Sequence, residues 1–225
     1  MPVSFSEQNL NLILQNITQH SPHPTKVNIV AVTKGFSYEA ILSALSHKIN
    51  CIGENKVQEF LHKKNNLTNY QFESHLIGHL QSNKIKKAIQ CFDVIQTIDS
   101  IELANKINTQ MEKYNAKKKI FIQVNIGNDP KKFGADPKNI FKTAETINKM
   151  PHLQIKGIMT ILPYLSHTKS SEKLFNQTRK ILEKIKNTIT PSCSSLSMGM
   201  SRDYVYALKQ GATHIRIGTL LYGNR

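Results

Sequence analysis

The chain has 225 residues, 39% of them hydrophobic, and carries 30 lysines and arginines against 15 acidic residues, for a formal net charge of +15. That apolar content supplies a folded core and excludes an intrinsically disordered chain. The basic excess is spread over nearly every expected helix, at Lys63-Lys64, Lys86-Lys87, Lys117 to Lys119 and Lys184 to Lys186, with no aromatic residues interleaved as stacking platforms. This pattern points to solvated helix faces and away from a specific nucleic-acid footprint.

In chain order, Ser4-x-x-Glu7 reads as a capping box before Leu10, Ile13, Leu14 and Ile17, an apolar stripe on an N-terminal helix that Ser21-Pro22-His23-Pro24 ends. No basic segment with an apolar run and cleavage site opens the chain, and no stretch approaches the ~18 apolar residues of a membrane span. The expectation is a cytoplasmic protein without a membrane partner. Short apolar runs then recur at 27–33, 50–53, 75–78, 94–97, 120–125, 155–160, 194–198 and 214–218. Between them, Asp99 with Glu102 forms a capping box ahead of Leu103, Ile107 and Met111. Asp136-Pro137 supplies an N-cap and first helical residue before Ile140, Ala144 and Ile147, and Ser201 opens a helix that Gly211 closes. Cys51, Cys91 and Cys193 stand far apart, with no Cys-x-x-Cys pair and no His at metal spacing, so neither a disulfide framework nor a metal site is expected.

Strands separated by helices pair in parallel, because the crossover is too long for a hairpin. Eight strand–helix units in a row predict an α/β protein, a single (β/α)8 TIM barrel over residues 1–225 with an additional N-terminal helix. A doubly wound open sheet would carry a Gly-rich turn after its first strand, where this chain has Thr33-Lys34-Gly35-Phe36.

Barrel chemistry sits where strands end, and phosphate sites often use the loops after strands seven and eight. Lys34 closes the first apolar run; an ammonium delivered there by a buried strand loses hydration, which lowers its pKa and frees an amine nucleophile toward aldehydes, the chemistry of a Schiff base. Ser197-Met198-Gly199-Met200-Ser201 follows the seventh strand and Arg216-Ile217-Gly218-Thr219 the eighth, each pairing a glycine with a hydroxyl donor. Alternation puts Ile215 and Ile217 toward the helices and His214, Arg216 and Gly218 into the barrel. A guanidinium there needs an acceptor, which Glu54 or Asp99 would provide, or the ring nitrogen of a bound phosphorylated aldehyde.

Taken together, Val30-Ala31-Val32-Thr33-Lys34, Gly53-Glu54-Asn55, His75-Leu76-Ile77-Gly78-His79, Gly157-Ile158-Met159-Thr160, Ser197 to Ser201 and Arg216 to Arg225 resemble the motifs of the pyridoxal phosphate homeostasis proteins, in order along the chain from about residue 25. The resemblance implies a barrel like the N-terminal domain of alanine racemase, of PLP fold type III. It implies pyridoxal 5′-phosphate (PLP) held as an internal aldimine on Lys34, with Ser201, Gly218 and Thr219 on the phosphate, Arg216 at the pyridine nitrogen and Asn55 lining the pocket. Gly35-Phe36-Ser37 and Lys56 depart from the family pattern and bear on the pocket rim.

Arginine does not donate its proton to the ring, so the electron sink stays weak, and the implied function is intracellular homeostasis of PLP by a carrier or regulator without catalytic residues or turnover. The expected partners are PLP and apoenzymes that receive it by transfer, with the carrier a monomer. The alternatives are a PLP-dependent amino-acid racemase or lyase of low activity, or a basic nucleic-acid-binding module.

Overall fold

A computed structural model describes residues 4–163 and 168–224; Arg225, the end of the C-terminal motif, and residues 1–3 and 164–167 lie outside the described residues. Eight parallel strands close a barrel in sequential order. They are β1 (Asn28–Val32), β2 (Cys51–Glu54), β3 (Glu73–Leu76), β4 (Val94–Ile98), β5 (Lys118–Gln123), β6 (Leu153–Met159), β7 (Ser195–Met200) and β8 (His214–Ile217). Each overlaps one of the eight apolar runs, and β1 pairs with β8 through Asn28↔His214 and Val30↔Arg216 to complete the ring. The architecture is the (β/α)8 barrel expected from the alternation of periods.

The helices are α1 (Glu7–His20), α2 (Glu39–Ser46), α3 (Val57–Lys64), α4 (Ile85–Cys91), α5 (Ile101–Glu112), α6 (Ile140–Asn148), α7 (Thr168–Thr188), α8 (Tyr204–Lys209) and α9 (Thr219–Tyr222). Helix α1 buries Leu10, Ile13 and Ile17, whereas Leu14, expected on that stripe, is 46% exposed. Its cap is Ser6, whose hydroxyl accepts from the Asn9 N–H at 3.3 Å, not the expected Ser4. The Ser6 N–H also donates to the Leu221 carbonyl at 2.9 Å, so the helix start is fixed against the end of the chain.

The other caps shift in the same way. Ser100, not Asp99, accepts from the Leu103 N–H, because Asp99 lies 3.5 Å from His79. Asp136 accepts from the Lys138 N–H in a turn, leaving Asn139 at the head of α6, and α8 begins after Asp203, not Ser201. Gly211 closes α8 at φ +82, as expected of a left-handed helix end. Ser100→Ala should cost about 1 kcal/mol in urea unfolding, and Asp99→Ala should change that midpoint less.

Ile29, Ala31, Ile52, Ile215 and Ile217 belong to the core between barrel and helices. The other face of the strands carries polar side chains into the barrel. There His214 contacts His75, with ring centroids 5.8 Å apart, and meets Phe121 edge-on at 5.5 Å. Burial, with the nearby His75 and Arg216, lowers the His214 pKa to about 3. Between pH ~6.5 and 3 the unfolded chain therefore binds a proton that the fold refuses. This part of the stability is complete above pH ~6.5 and falls with acidification by up to ~1.4 kcal/mol per pH unit. His214→Gln should flatten that acid limb in chemical unfolding.

Not every lysine solvates a face. Lys63 is 6% exposed and Lys118 9%, contrary to the expectation for both runs. Lys118 Nζ donates to the carbonyls of Ile89 and Phe92 at 2.8 and 2.7 Å, tying down the C-terminal end of α4, where a cation is favoured.

Candidate functional site

Parallel strands bring all their C-terminal ends to one rim. Lys34 follows β1, Asn55 follows β2, Ser201 follows β7, and Gly218 and Thr219 follow β8, so all five lie at that rim. The pairings Val32↔Gly53 and Ala31↔Ile217 set the Lys34 turn between Asn55 on one side and Gly218-Thr219 on the other. Lys34, Asn55, Ser201 and Gly218 are half-buried, Thr219 is exposed, and Arg216 is buried within the barrel.

The turn that carries Lys34 is clamped by charges buried behind it. Lys63 Nζ, from α3, donates to the Thr33 carbonyl at 2.9 Å, to Glu54 Oε1 at 2.6 Å and to Glu59 Oε1 at 2.8 Å. The Thr33 hydroxyl donates to Glu54 Oε1 at 2.7 Å, and the Gly35 N–H donates to Glu59 Oε1 at 2.5 Å. Burial raises the Glu54 pKa, opposed by Lys63 and Thr33. Burial raises Glu59 too, but the hydrogen bonds from Lys63 and Gly35 outweigh it and leave the pKa lowered. Lys63 and Glu59 thus fix the backbone on the two sides of Lys34, and Glu54 anchors Lys63 and the Thr33 side chain behind them.

Arg216 points into the barrel, as alternation on β8 requires, but neither Glu54 nor Asp99 accepts from it. Its Nη1 donates to Ser197 Oγ at 2.8 Å and its Nη2 to the Thr160 carbonyl at 2.7 Å, neutral acceptors from β7 and the end of β6. Burial lowers its pKa to about 10, so it stays charged at neutral pH. The Ser197 hydroxyl donates on to Gln96 Oε1 at 2.6 Å, Gln96 Nε2 lies 2.6 Å from His75 Nδ1, and His75 Nε2 lies 3.0 Å from Glu73 Oε2. A chain of side chains therefore crosses the barrel from Arg216 to Glu73.

Two features of the rim suit a bound anion or carbonyl compound. Asn55 Oδ1 is buried without a hydrogen-bond partner, so a donor brought by a ligand would complete it. Gly218 keeps the backbone bare beside the end of β1, where a Cβ would stand 3.3 Å from the Val32 carbonyl, and Gly199 (φ +88) lets β7 pack against Tyr204 and Ala207 of α8. Opposite, His79 and Phe133 stack with centroids 3.8 Å apart. One feature opposes an anion: Asp203, whose carboxylate accepts from the Met200 N–H at 2.6 Å, sits in the Ser201 turn, with its pKa raised by burial. A Cβ on Gly78 would lie 2.2 Å from the Asn55 carbonyl oxygen and 2.7 Å from its Cα. Gly78→Ala should displace Asn55 and cost about 1–3 kcal/mol in urea unfolding, the range for overpacking.

The sequence did not reveal Lys63, Glu59, Gln96, His75 or Asp203. Lys63 carried a signal in hindsight: it lies four residues after Glu59 and nine after Glu54, a spacing that returns a cation from a helix to its own strand end. A surface groove of about 740 Å³, bordered by Lys86, Lys106 and Lys113 from α4 and α5, is lined by none of the rim residues.

The sequence pattern of the family described as alanine racemase, N-terminal domain, matches residues 8–225. The chain is 35% identical over 227 residues to a pyridoxal phosphate homeostasis protein of Pasteurella multocida, covering 97% of each, and 36% identical to that of Helicobacter pylori, covering 91% and 90%. Its fold superposes on PipY of Synechococcus elongatus solved with PLP bound, at a TM-score of 0.83 and 32% identity, covering 94% of this chain and all of that one. An alanine racemase of Clostridium difficile shares the fold at a TM-score of 0.76 and 16% identity, covering all of this chain and 63% of that one.

Proposed function

We propose that this chain, which belongs to the pyridoxal phosphate homeostasis proteins of the alanine racemase N-terminal domain family, binds PLP at the rim and serves its homeostasis as a carrier. The observation that supports this most is the placing of the Lys34 turn between the unpartnered Asn55 Oδ1 and the Gly218-Thr219 turn. Lys34 is assigned the covalent bond to the coenzyme's aldehyde carbon. Ser201, Gly218 and Thr219 are assigned the phosphate, and Asn55 a polar contact. When bound, PLP supplies an electron sink whose strength follows the protonation of its ring nitrogen.

Arg216 is assigned to that nitrogen. Held by Ser197 and Thr160, it offers a fixed cation that keeps its own proton, which favours an unprotonated ring and disfavours turnover. We place the carrier in the cytoplasm as a monomer, one domain built on one barrel, that hands its coenzyme to apoenzymes. Among the described residues no helix is long and apolar enough to cross a membrane.

The test is an absorbance titration of the purified chain with PLP, followed by borohydride reduction and peptide mapping. A visible band and a reduced adduct on Lys34 are expected; a colourless protein, or an adduct spread over surface lysines, would overturn the assignment. Chiral analysis of alanine and serine after long incubation should show no racemisation.

A further inference from the structure

At the opposite rim, where strands begin, three side chains of different chemistry converge. Cys51 opens β2 and Glu73 opens β3; the two are register partners, and His75 follows on the same face of β3. One ligand atom of each, Cys51 Sγ, a Glu73 carboxylate oxygen and a His75 ring nitrogen, lie within 4.8 Å of one another. We propose that Cys51, Glu73 and His75 form a binding site for a zinc-like divalent cation at the foot of the barrel, remote from Lys34.

The donor set fits such an ion. One thiolate, one carboxylate and one neutral imidazole balance a double positive charge, and the mixed S, O and N ligands suit zinc, with water as the fourth ligand. Zinc bonds of ~2.0–2.3 Å put tetrahedral ligands ~3.3–3.6 Å apart. Glu73 Oε2 and His75 Nε2, 3.0 Å apart, are already near that spacing. Lys119 Nζ holds the other carboxylate oxygen, Oε1, at 2.9 Å; this half-exposed ammonium opposes the ion's charge but leaves Oε2 turned toward His75. Gln96 braces His75 Nδ1 from behind, the usual place of a group that orients a metal-bound imidazole.

Binding has a definite proton balance. The ion takes the Cys51 sulfur as thiolate and releases that proton to solvent. The His75 proton moves from Nε2 to Nδ1, where a turned Gln96 amide accepts it through Oε1, its Nε2 then donating to Ser197 Oγ in place of the hydrogen bond that Oγ gave to Oε1. One proton leaves per ion bound.

The experiment is a Zn²⁺ titration of the untagged full chain by calorimetry in two buffers of different ionisation enthalpy, with native mass spectrometry for stoichiometry. One ion per chain and one proton released are expected. Cys51→Ser and the half-exposed Glu73→Gln should each weaken binding roughly 100-fold or more, and Gln96→Leu about 10- to 100-fold. No uptake, or uptake unchanged in Glu73→Gln, would overturn the proposal, the latter showing adventitious binding at other histidines. These readouts do not involve PLP, so failure here leaves the Lys34 assignment untouched.

Discussion

Lys34→Ala should abolish the visible absorption of the PLP-loaded protein and all borohydride-fixed coenzyme, leaving only weak, dialysable binding. The loss should be complete, because the bond to the aldehyde needs a primary amine and the other assigned groups offer hydrogen bonds alone. Lys34→Arg keeps the positive charge and much of the side-chain bulk but has no nucleophilic amine at neutral pH, so it should be equally colourless. If either variant retained the band, another amine would carry the coenzyme. The clamp makes the experiment clean. Thr33 and Gly35 are held through backbone groups, the Thr33 carbonyl and the Gly35 N–H, that neither substitution removes.

Lys63→Met should destabilise the protein by about 3–5 kcal/mol, the range for removing one partner of a buried ion pair. Glu54 is fully buried, and without Lys63 its carboxylate keeps only the Thr33 hydroxyl, with Oε2 already unpartnered. Lys64→Met is the control: Lys64 Nζ donates to a single carbonyl, that of Cys91, and its loss should cost about 1 kcal/mol. Urea unfolding of both variants measures the difference. Glu54→Gln combined with Lys63→Met should recover part of the loss, since the buried charge is then gone. Equal effects of Lys63→Met and Lys64→Met would remove the clamp from the account of the Lys34 turn.

The barrel was legible in the chain because its cause is periodic. Eight apolar runs between amphipathic stretches leave few topologies, and parallel pairing places all strand ends on one rim. The rim positions of Lys34, Asn55, Ser201, Gly218 and Thr219 follow from that count alone. The caps moved by one to three residues because several Ser and Asp neighbours compete for each helix start, and tertiary contacts such as Asp99 with His79 decide between them. Lys63 and Lys118 look solvated in the chain because burial of a lysine depends on acceptors from other segments, Glu54 for one and the end of α4 for the other. The same holds for Arg216, whose partners Ser197 and Thr160 are neutral and so leave no mark in a charge pattern.

The side-chain chain from Arg216 to Glu73 also bears on how the molecule can be divided. Its Ser197–Gln96 link joins β7 to β4 across the axis, with His75 and Glu73 on the early side and Arg216 and Thr160 on the late side. A fragment cut between β4 and β5 would leave Arg216 with Ser197 and Thr160 in one piece and Gln96 with His75 in the other, but would sever the Ser197–Gln96 hydrogen bond that joins them and open the ring of strands. The two halves are thus poor candidates for autonomous modules, and a split version should regain its shape only when both pieces are present together.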